Sequence, residues 1–151
     1  MSDAILNHVD EHEARVIAQA PVLVFLLVSA ADGTIDKREI KGVESLLSSE
    51  PYSDLFAVMV RARLSINDTL RQLTENPVDY LQELKRIDRV LDNRLPSALS
   101  LKLKQQLYDL GHHVALSSGR FLGLVGDPVS KQELTALKVI AGLFGIAETQ
   151  Q

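Results

Sequence analysis

An apolar run from Ala20 to Ala31, which contains the segment PVLVFLLV, constrains the fold of this chain more than any other feature. A helix needs about 20 apolar residues to cross the hydrocarbon core of a bilayer. The run is shorter than that, so we predict a buried core helix and no membrane span. Peripheral contact with a membrane is the alternative that the run leaves open.

Apolar residues recur at helical spacing through most of the chain, and runs that alternate in the manner of a strand are missing. We predict an all-α fold, a single-domain helical bundle of about seven to eight helices over residues 1–151. We expect Asn76-Pro77 to cap one helix, Ser118-Gly119 to interrupt another and Gly145 to end the last. The predicted helices cover about 3–18, 21–32, 36–50, 55–66, 67–73, 77–94, 96–117 and 131–144.

Two stretches of the chain resemble each other: VSAADGTIDKREIKGVESLL and LGLVGDPVSKQELTALKVIA. Each has an apolar segment, a Gly/Asp corner, a small polar cap, a Glu and an amphipathic helix, and the alignment pairs Glu39 with Glu133. One copy of such a unit cannot bury its own apolar stripe. We therefore predict an internal pseudo-twofold repeat with cores at about 20–48 and 114–145.

The composition excludes several kinds of site. The chain has no Cys, which rules out disulfides, thiol catalysis and Cys-ligated zinc. Its net charge of −4 argues against nucleic acid as a partner. The first residues lack the basic start and apolar middle of a signal peptide, so we expect a cytoplasmic protein. Since no phosphate loop, nucleophile elbow or dinucleotide fingerprint is present, we expect no enzyme.

The first corner, SAADGTIDKREI, resembles half of a calcium loop. With Gly33 at position 6 of an EF-hand, positions 1 and 3 fall on Val28 and Ala30, which have no side-chain oxygen. An ordinary EF-hand is therefore rejected.

Helix capping explains most of this corner. Asp36 is a natural N-cap with Glu39 three residues later, and Ser130 with Glu133 forms the same box before the last helix. Capping does not explain Asp32, because a negative charge is unfavourable at the C-terminal end of the preceding helix.

The corner AADGTIDKREI resembles the signature of the TerB family of tellurite-resistance and stress-response proteins, and GDPVSKQELTALKVIAGLFGI is similar to that family's C-terminal half. A related domain occurs in membrane-tethered DnaJ-type co-chaperones. The resemblance implies an all-helical bundle with pseudo-symmetry and an acidic cluster for a divalent metal. In this chain it points to Asp32, Glu39 and Glu133. Gly126 stands where the family has Asp, and Asp127 is the neighbouring candidate.

Carboxylates without Cys suit a hard cation, so the candidate metals are Ca²⁺, Mg²⁺ and Mn²⁺. The resemblance favours a non-enzymatic stress-response domain. If the acidic residues only cap helices, the alternative is a plain helical protein–protein interaction module without metal. We expect protein partners in either case, and a homo-oligomer stays open.

The segment HVDEH places His8, Glu11 and His12 in the inverted zinc-protease pattern. On a continuous helix the two histidines would share a face, and a zinc metalloenzyme is the remote alternative that they offer. Farther along, His112 and His113 point about 100° apart on a helix and are not expected to share a metal. Asp109 is spaced to pair with His113.

Overall fold

The computed structural model describes residues 7–29, 37–76, 78–121 and 131–146, with the backbone alone for residues 117–121. Over these residues the chain is helical and contains no strand, which confirms the predicted all-α single-domain bundle. The elements in chain order are α1 (Glu11–Ala18), α2 (Ala20–Ser29), α3 (Lys37–Leu47), a 3-10 turn (Glu50–Tyr52), α4 (Ser53–Ala62), α5 (Ile66–Glu75), α6 (Tyr80–Arg94), α7 (Ser97–Phe121) and α8 (Lys131–Phe144).

Helix α2 forms the centre of the bundle. Nine of its ten residues are buried, and α1, α5, α6, α7 and α8 all contact it. A helix that is apolar on every side is stable only when other elements cover it. Each fully buried Val, Leu or Phe of this helix contributes roughly 1.5–3 kcal/mol. The prediction of a buried core helix is confirmed over Ala20–Ser29.

Helices α1 and α2 together span Glu11–Ser29 and are long and apolar enough to cross a membrane by length and composition. Of the window that passes this test, 72% is buried inside the protein. Core helices of soluble proteins pass the same test, so the absence of a membrane span stays a prediction.

The first described helix begins later than predicted. Residues 7–10 are not helical, and α1 begins at Glu11 instead of continuing from the predicted start near residue 3. The cause is a capping box at Asp10. Its side chain accepts a hydrogen bond from the backbone N–H of Glu13 at 2.8 Å, and Glu13 Oε1 accepts from the N–H of Asp10 at 3.0 Å.

Two other predicted boundaries are wrong. The N-cap of α6 is Asp79 and not Asn76, which is the C-cap of α5 instead. The Asp79 carboxylate accepts hydrogen bonds from the N–H groups of Leu81 and Gln82, each at 3.1 Å. Helix α7 continues through Ser118-Gly119 to Phe121. A single helical glycine costs about 1 kcal/mol, which a long helix tolerates.

Helix α8 covers the predicted residues, and Gly145 ends it in the left-handed conformation with φ of +67°. The N–H of Ile146 reaches back to the carbonyl of Ala141 at 3.0 Å, as in a Schellman motif. The two corners of the proposed repeat, residues 30–36 and 122–130, lie outside the described residues. The pseudo-twofold repeat therefore stays a prediction.

Candidate functional site

Two glutamates in first helical turns are buried in the protein. Glu39 is the third residue of α3 and 6% exposed, and Glu133 is the third residue of α8 and 1% exposed. Glutamate is almost never fully buried unless its charge is compensated. The alignment of the two corner units pairs these same residues. In the structure both are the third residue of their helix, and both are buried.

Glu39 connects the end of α2 to the beginning of α3. The hydroxyl of Ser29, the last residue of α2, donates a hydrogen bond to Glu39 Oε2 at 3.3 Å, and both side chains are buried. A carboxylate at this position also faces the positive end of the α3 dipole, which favours its charged form. The hydrogen bond from Ser29 holds the carboxylate against the end of α2.

Helices α2, α7 and α8 meet at Gly111 of α7. A Cβ built on Gly111 of α7 would lie 3.5 Å from Val28 of α2 and 3.2 Å from Leu137 of α8, so the three helices meet at this point. Ser29, the partner of Glu39, follows Val28 in the chain, and Glu133 precedes Leu137 by about one helical turn.

The other two predicted metal ligands, Asp32 and Asp127, lie outside the described residues, as do the predicted caps Asp36 and Ser130. Among the residues that the structure does describe, no three His, Asp or Glu side chains form a group that could hold a metal. The four-carboxylate set of Asp32, Glu39, Asp127 and Glu133 stays a prediction, of which the structure describes two members.

The zinc-protease pattern at His8, Glu11 and His12 loses its structural basis. His8 precedes the N-cap Asp10, whereas Glu11 and His12 open α1. The two histidines therefore do not lie on one helix face, contrary to the prediction. Both histidines are exposed. The residue that follows this segment has a structural role, because Glu13 forms an ion pair with Arg94 at the end of α6.

A cleft runs between α3 and α7 beside Glu39. Its inner part encloses about 180 Å³ against Phe25, Val43 and Val114, and Glu39 is among the residues that line it. The outer part is an adjacent depression of about 360 Å³, and Leu46 and His113 line both parts. The polar groups that line the outer part include Ser49, Tyr52, Asp109 and His112. We call the two parts together the α3–α7 cleft.

Tyr52, which lines the outer part of the α3–α7 cleft, has a raised pKa. Burial, together with the negative charge of Asp109, raises the pKa of Tyr52 to about 12. The expected pairing of Asp109 with His113 does not form: no ion pair joins them among the described residues. Asp109 is instead exposed at the mouth of the cleft.

A second depression, the α4–α5 groove, is largely apolar. It encloses about 370 Å³ between the end of α3, one face of α4 and the start of α5. Phe56 and Val60, one turn apart on α4, form one wall and are 42% and 61% exposed. Exposed apolar side chains beside a groove are typical of protein contact surfaces.

A buried lysine, which the sequence did not predict, joins α6 to α7. Lys104 Nζ lies 2.7 Å from a carboxylate oxygen of Asp88 and 2.7 Å from one of Asp92, and Ser100 donates to the same oxygen of Asp92 at 2.9 Å. The hydrogen bond from Lys104 lowers the pKa of Asp92. Burial alone would lower the pKa of Lys104, but the two aspartates outweigh it and the pKa is raised.

A buried aspartate makes the corresponding connection between α4 and α7. Asp54, in the first turn of α4, is 3% exposed at its side chain and lies 2.9 Å from Lys102 Nζ. Sequence spacing carries no sign of either pair, because the partners come from different helices.

Comparison with known proteins adds one relative. The chain is 27% identical over 140 residues to a protein of Methanothermobacter thermautotrophicus that bears the description "Uncharacterized protein ORF11'"; the match covers 89% of this chain and 88% of that protein. No protein-family profile matches the chain, and no solved structure gives a significant match. The resemblance to the TerB family stays a prediction.

Proposed function

We propose that this protein is a non-enzymatic, TerB-like helical domain that binds one divalent cation where α3 and α8 begin, and that it acts in a cytoplasmic stress response. The observation that supports the proposal is the burial of Glu39 and Glu133 at the same position of their helices. A divalent cation between the two carboxylates would offset the cost of burying their negative charge.

The donor chemistry favours a hard ion. The described ligands are carboxylate oxygens with the Ser29 hydroxyl close by, and the chain has no Cys. Ca²⁺, Mg²⁺ and Mn²⁺ prefer such oxygen donors. Asp32 and Asp127, in the corners that precede α3 and α8, complete the proposed ligand set.

Isothermal titration calorimetry with Ca²⁺, Mg²⁺, Mn²⁺ and Zn²⁺ tests this proposal. We expect heat of binding and a rise in melting temperature with at least one hard cation, and both lost in Glu133→Gln. Glu13→Gln is the matched control, because Glu13 is also the third residue of its helix and partly buried, but it pairs with Arg94 of α6. No heat and no shift in melting temperature with any ion would sink the proposal.

A plain protein–protein interaction module is the second candidate, and the α4–α5 groove favours it. In such a module the acidic residues of the corners would only cap helices and interact with water. Asp32→Asn should then leave the free energy of unfolding unchanged, because Asp36 is the predicted cap. A loss above about 1 kcal/mol, the size of a lost N-cap, would count against this candidate.

A further inference from the structure

One face of α4 is exposed and apolar along its middle. Ser53, Phe56, Ala57, Val60 and Arg61 follow the spacing of a single helix face, and we call them the α4 face. Phe56 and Val60 are both exposed, and Ala57 lies between them partly buried. Two large apolar side chains exposed side by side are typical of a surface that another protein covers.

The two ends of the α4 face carry opposite charges. Arg61 lies at the C-terminal end. Glu50 lies at the N-terminal end, because residues three apart in a 3-10 turn lie over one another, which places Glu50 over Ser53. Glu50 and Arg61 are exposed, and neither forms an ion pair with another described residue. The order along the face is therefore negative, apolar and positive.

The charges beside the α4 face do not suit a partner with one dominant charge. Two acidic and two basic side chains flank this face and the α4–α5 groove: Glu44, Glu50, Arg61 and Arg63. Their charges cancel, and Asp68 of the groove is compensated by Arg71 at 3.2 Å. A nucleic acid or a strongly basic peptide would be repelled at one end. A surface with opposite charges at its two ends is complementary to a second copy of itself.

The charges also select how two copies face each other. A twofold axis through Ala57, perpendicular to α4, makes the two copies of the helix antiparallel. The Arg61 end of each copy then lies over the Glu50 end of the other, and the two helix dipoles oppose each other favourably. A twofold axis along α4 would instead place like charges together at both ends, which is unfavourable.

The shape of the surface agrees with the antiparallel arrangement. Ala57 is small, so two helices can approach closely at the centre of the α4 face. The α4–α5 groove, of about 370 Å³, lies beside Phe56 and Val60 and has room for an apolar side chain of the second copy.

We propose that this protein forms a homodimer through the α4 face, with the two α4 helices antiparallel about a twofold axis at Ala57. The dimer goes beyond the proposed function and does not rest on it, because no predicted metal ligand belongs to this face. A contact built on one helix from each copy is smaller than the roughly 1,200–2,000 Å² of a standard stable interface. We therefore expect a reversible equilibrium between monomer and dimer, with a micromolar dissociation constant.

Sedimentation equilibrium of the full chain, at protein concentrations from micromolar to millimolar, tests the inference. The mean mass should rise from 16.7 kDa toward twice that value. Val60→Glu should weaken the dimer by about tenfold or more, because it brings a charge into the apolar centre of the contact. Val139→Glu is the matched control and should leave the equilibrium unchanged, because Val139 is also an exposed helical valine but lies on α8.

Charge reversal tests the antiparallel arrangement itself. Arg61→Glu and Glu50→Lys should each weaken self-association by about tenfold, because like charges then meet at both ends. An equimolar mixture of the two variants should restore the dimer, since each contact in the mixed dimer again joins opposite charges.

Three results would overturn the inference. The first is a chain that stays monomeric at every concentration, whether its α4 face then contacts water or a different protein. The second is a dimer that Val60→Glu leaves intact. The third is a mixture of the two charge variants that associates no more tightly than either variant alone.

Discussion

At the scale of single residues, the buried charges differ in how they are compensated. Lys104 is held by Asp88 and Asp92, and Asp54 is held by Lys102. These pairs join separate helices. Glu39 and Glu133 each follow a corner of the sequence that carries another predicted ligand.

Removing the Lys104 ammonium group should destabilise the protein. Lys104→Met leaves Asp88 partly buried without its cation, and we expect the free energy of unfolding to fall by about 2 kcal/mol, less than for a fully buried pair because Asp92 is 55% exposed. Urea titration measures the change. Arg71→Met is the control; its pair with Asp68 is exposed, so the loss should stay below about 1 kcal/mol. Equal losses would contradict this account.

The lowered pKa of Asp92 predicts a loss of stability in acid. Because the folded-state pKa lies below the ordinary 3.8, the stabilisation is fully present above that value and is lost as the pH falls through the lower folded-state pKa. Asp92→Asn should flatten the acid limb of a plot of unfolding free energy against pH. An unchanged acid limb in this variant would show that Asp92 carries no such linkage.

Tyr52 predicts a second pH effect at the alkaline end. Its pKa of about 12 lies above the ordinary 10.0, so the stabilisation is present below pH 10 and is lost as the pH rises toward 12. Phenolate absorbance should show one late-titrating tyrosine that Tyr52→Phe removes. Asp109→Asn should lower the pKa of this tyrosine, since the charge of Asp109 contributes to raising it. A tyrosine titration that Asp109→Asn leaves unmoved would contradict this assignment.

At the scale of helices, local rules located the elements but not all of their ends. Helix α8 and its stop at Gly145 were predicted because the apolar period and the glycine signal agree. The end of α4 was not predicted correctly. Ile66 fits the stripe of that helix, but Arg63 takes a left-handed conformation with φ of +58° and Ser65 caps a new helix at Ile66. A non-glycine residue gives no sequence signal for such a turn.

The start of α6 gives a direct test of which side chain caps it. Asp79→Ala should cost about 1 kcal/mol of unfolding free energy, the usual cost of a lost N-cap, because two backbone N–H groups lose their acceptor. Asn76→Ala should cost less, since its side chain caps neither helix. Thermal or urea unfolding separates the two. A larger cost for Asn76→Ala than for Asp79→Ala would instead identify Asn76 as the cap, as the sequence predicted.

At the scale of the whole molecule, the apolar run was the most informative part of the sequence. A helix with no polar face has to lie at the centre of a bundle, and α2 does so. The burial of Glu39 and Glu133 could not be predicted, because a glutamate at the third position of a helix usually caps the helix start, as Glu13 does. What buries the other two is the packing of α3 and α8 against α2 and α7, and sequence spacing does not encode such contacts.

The central claim is that one divalent cation joins the beginnings of α3 and α8. The most direct measurement is a crystal structure with Mn²⁺, in which anomalous scattering locates the metal. The account predicts one anomalous peak within about 2.0–2.6 Å of carboxylate oxygens of both Glu39 and Glu133. Carboxylates separated by more than roughly 8 Å, too far for two such bonds to one ion, with no peak between them, would contradict it.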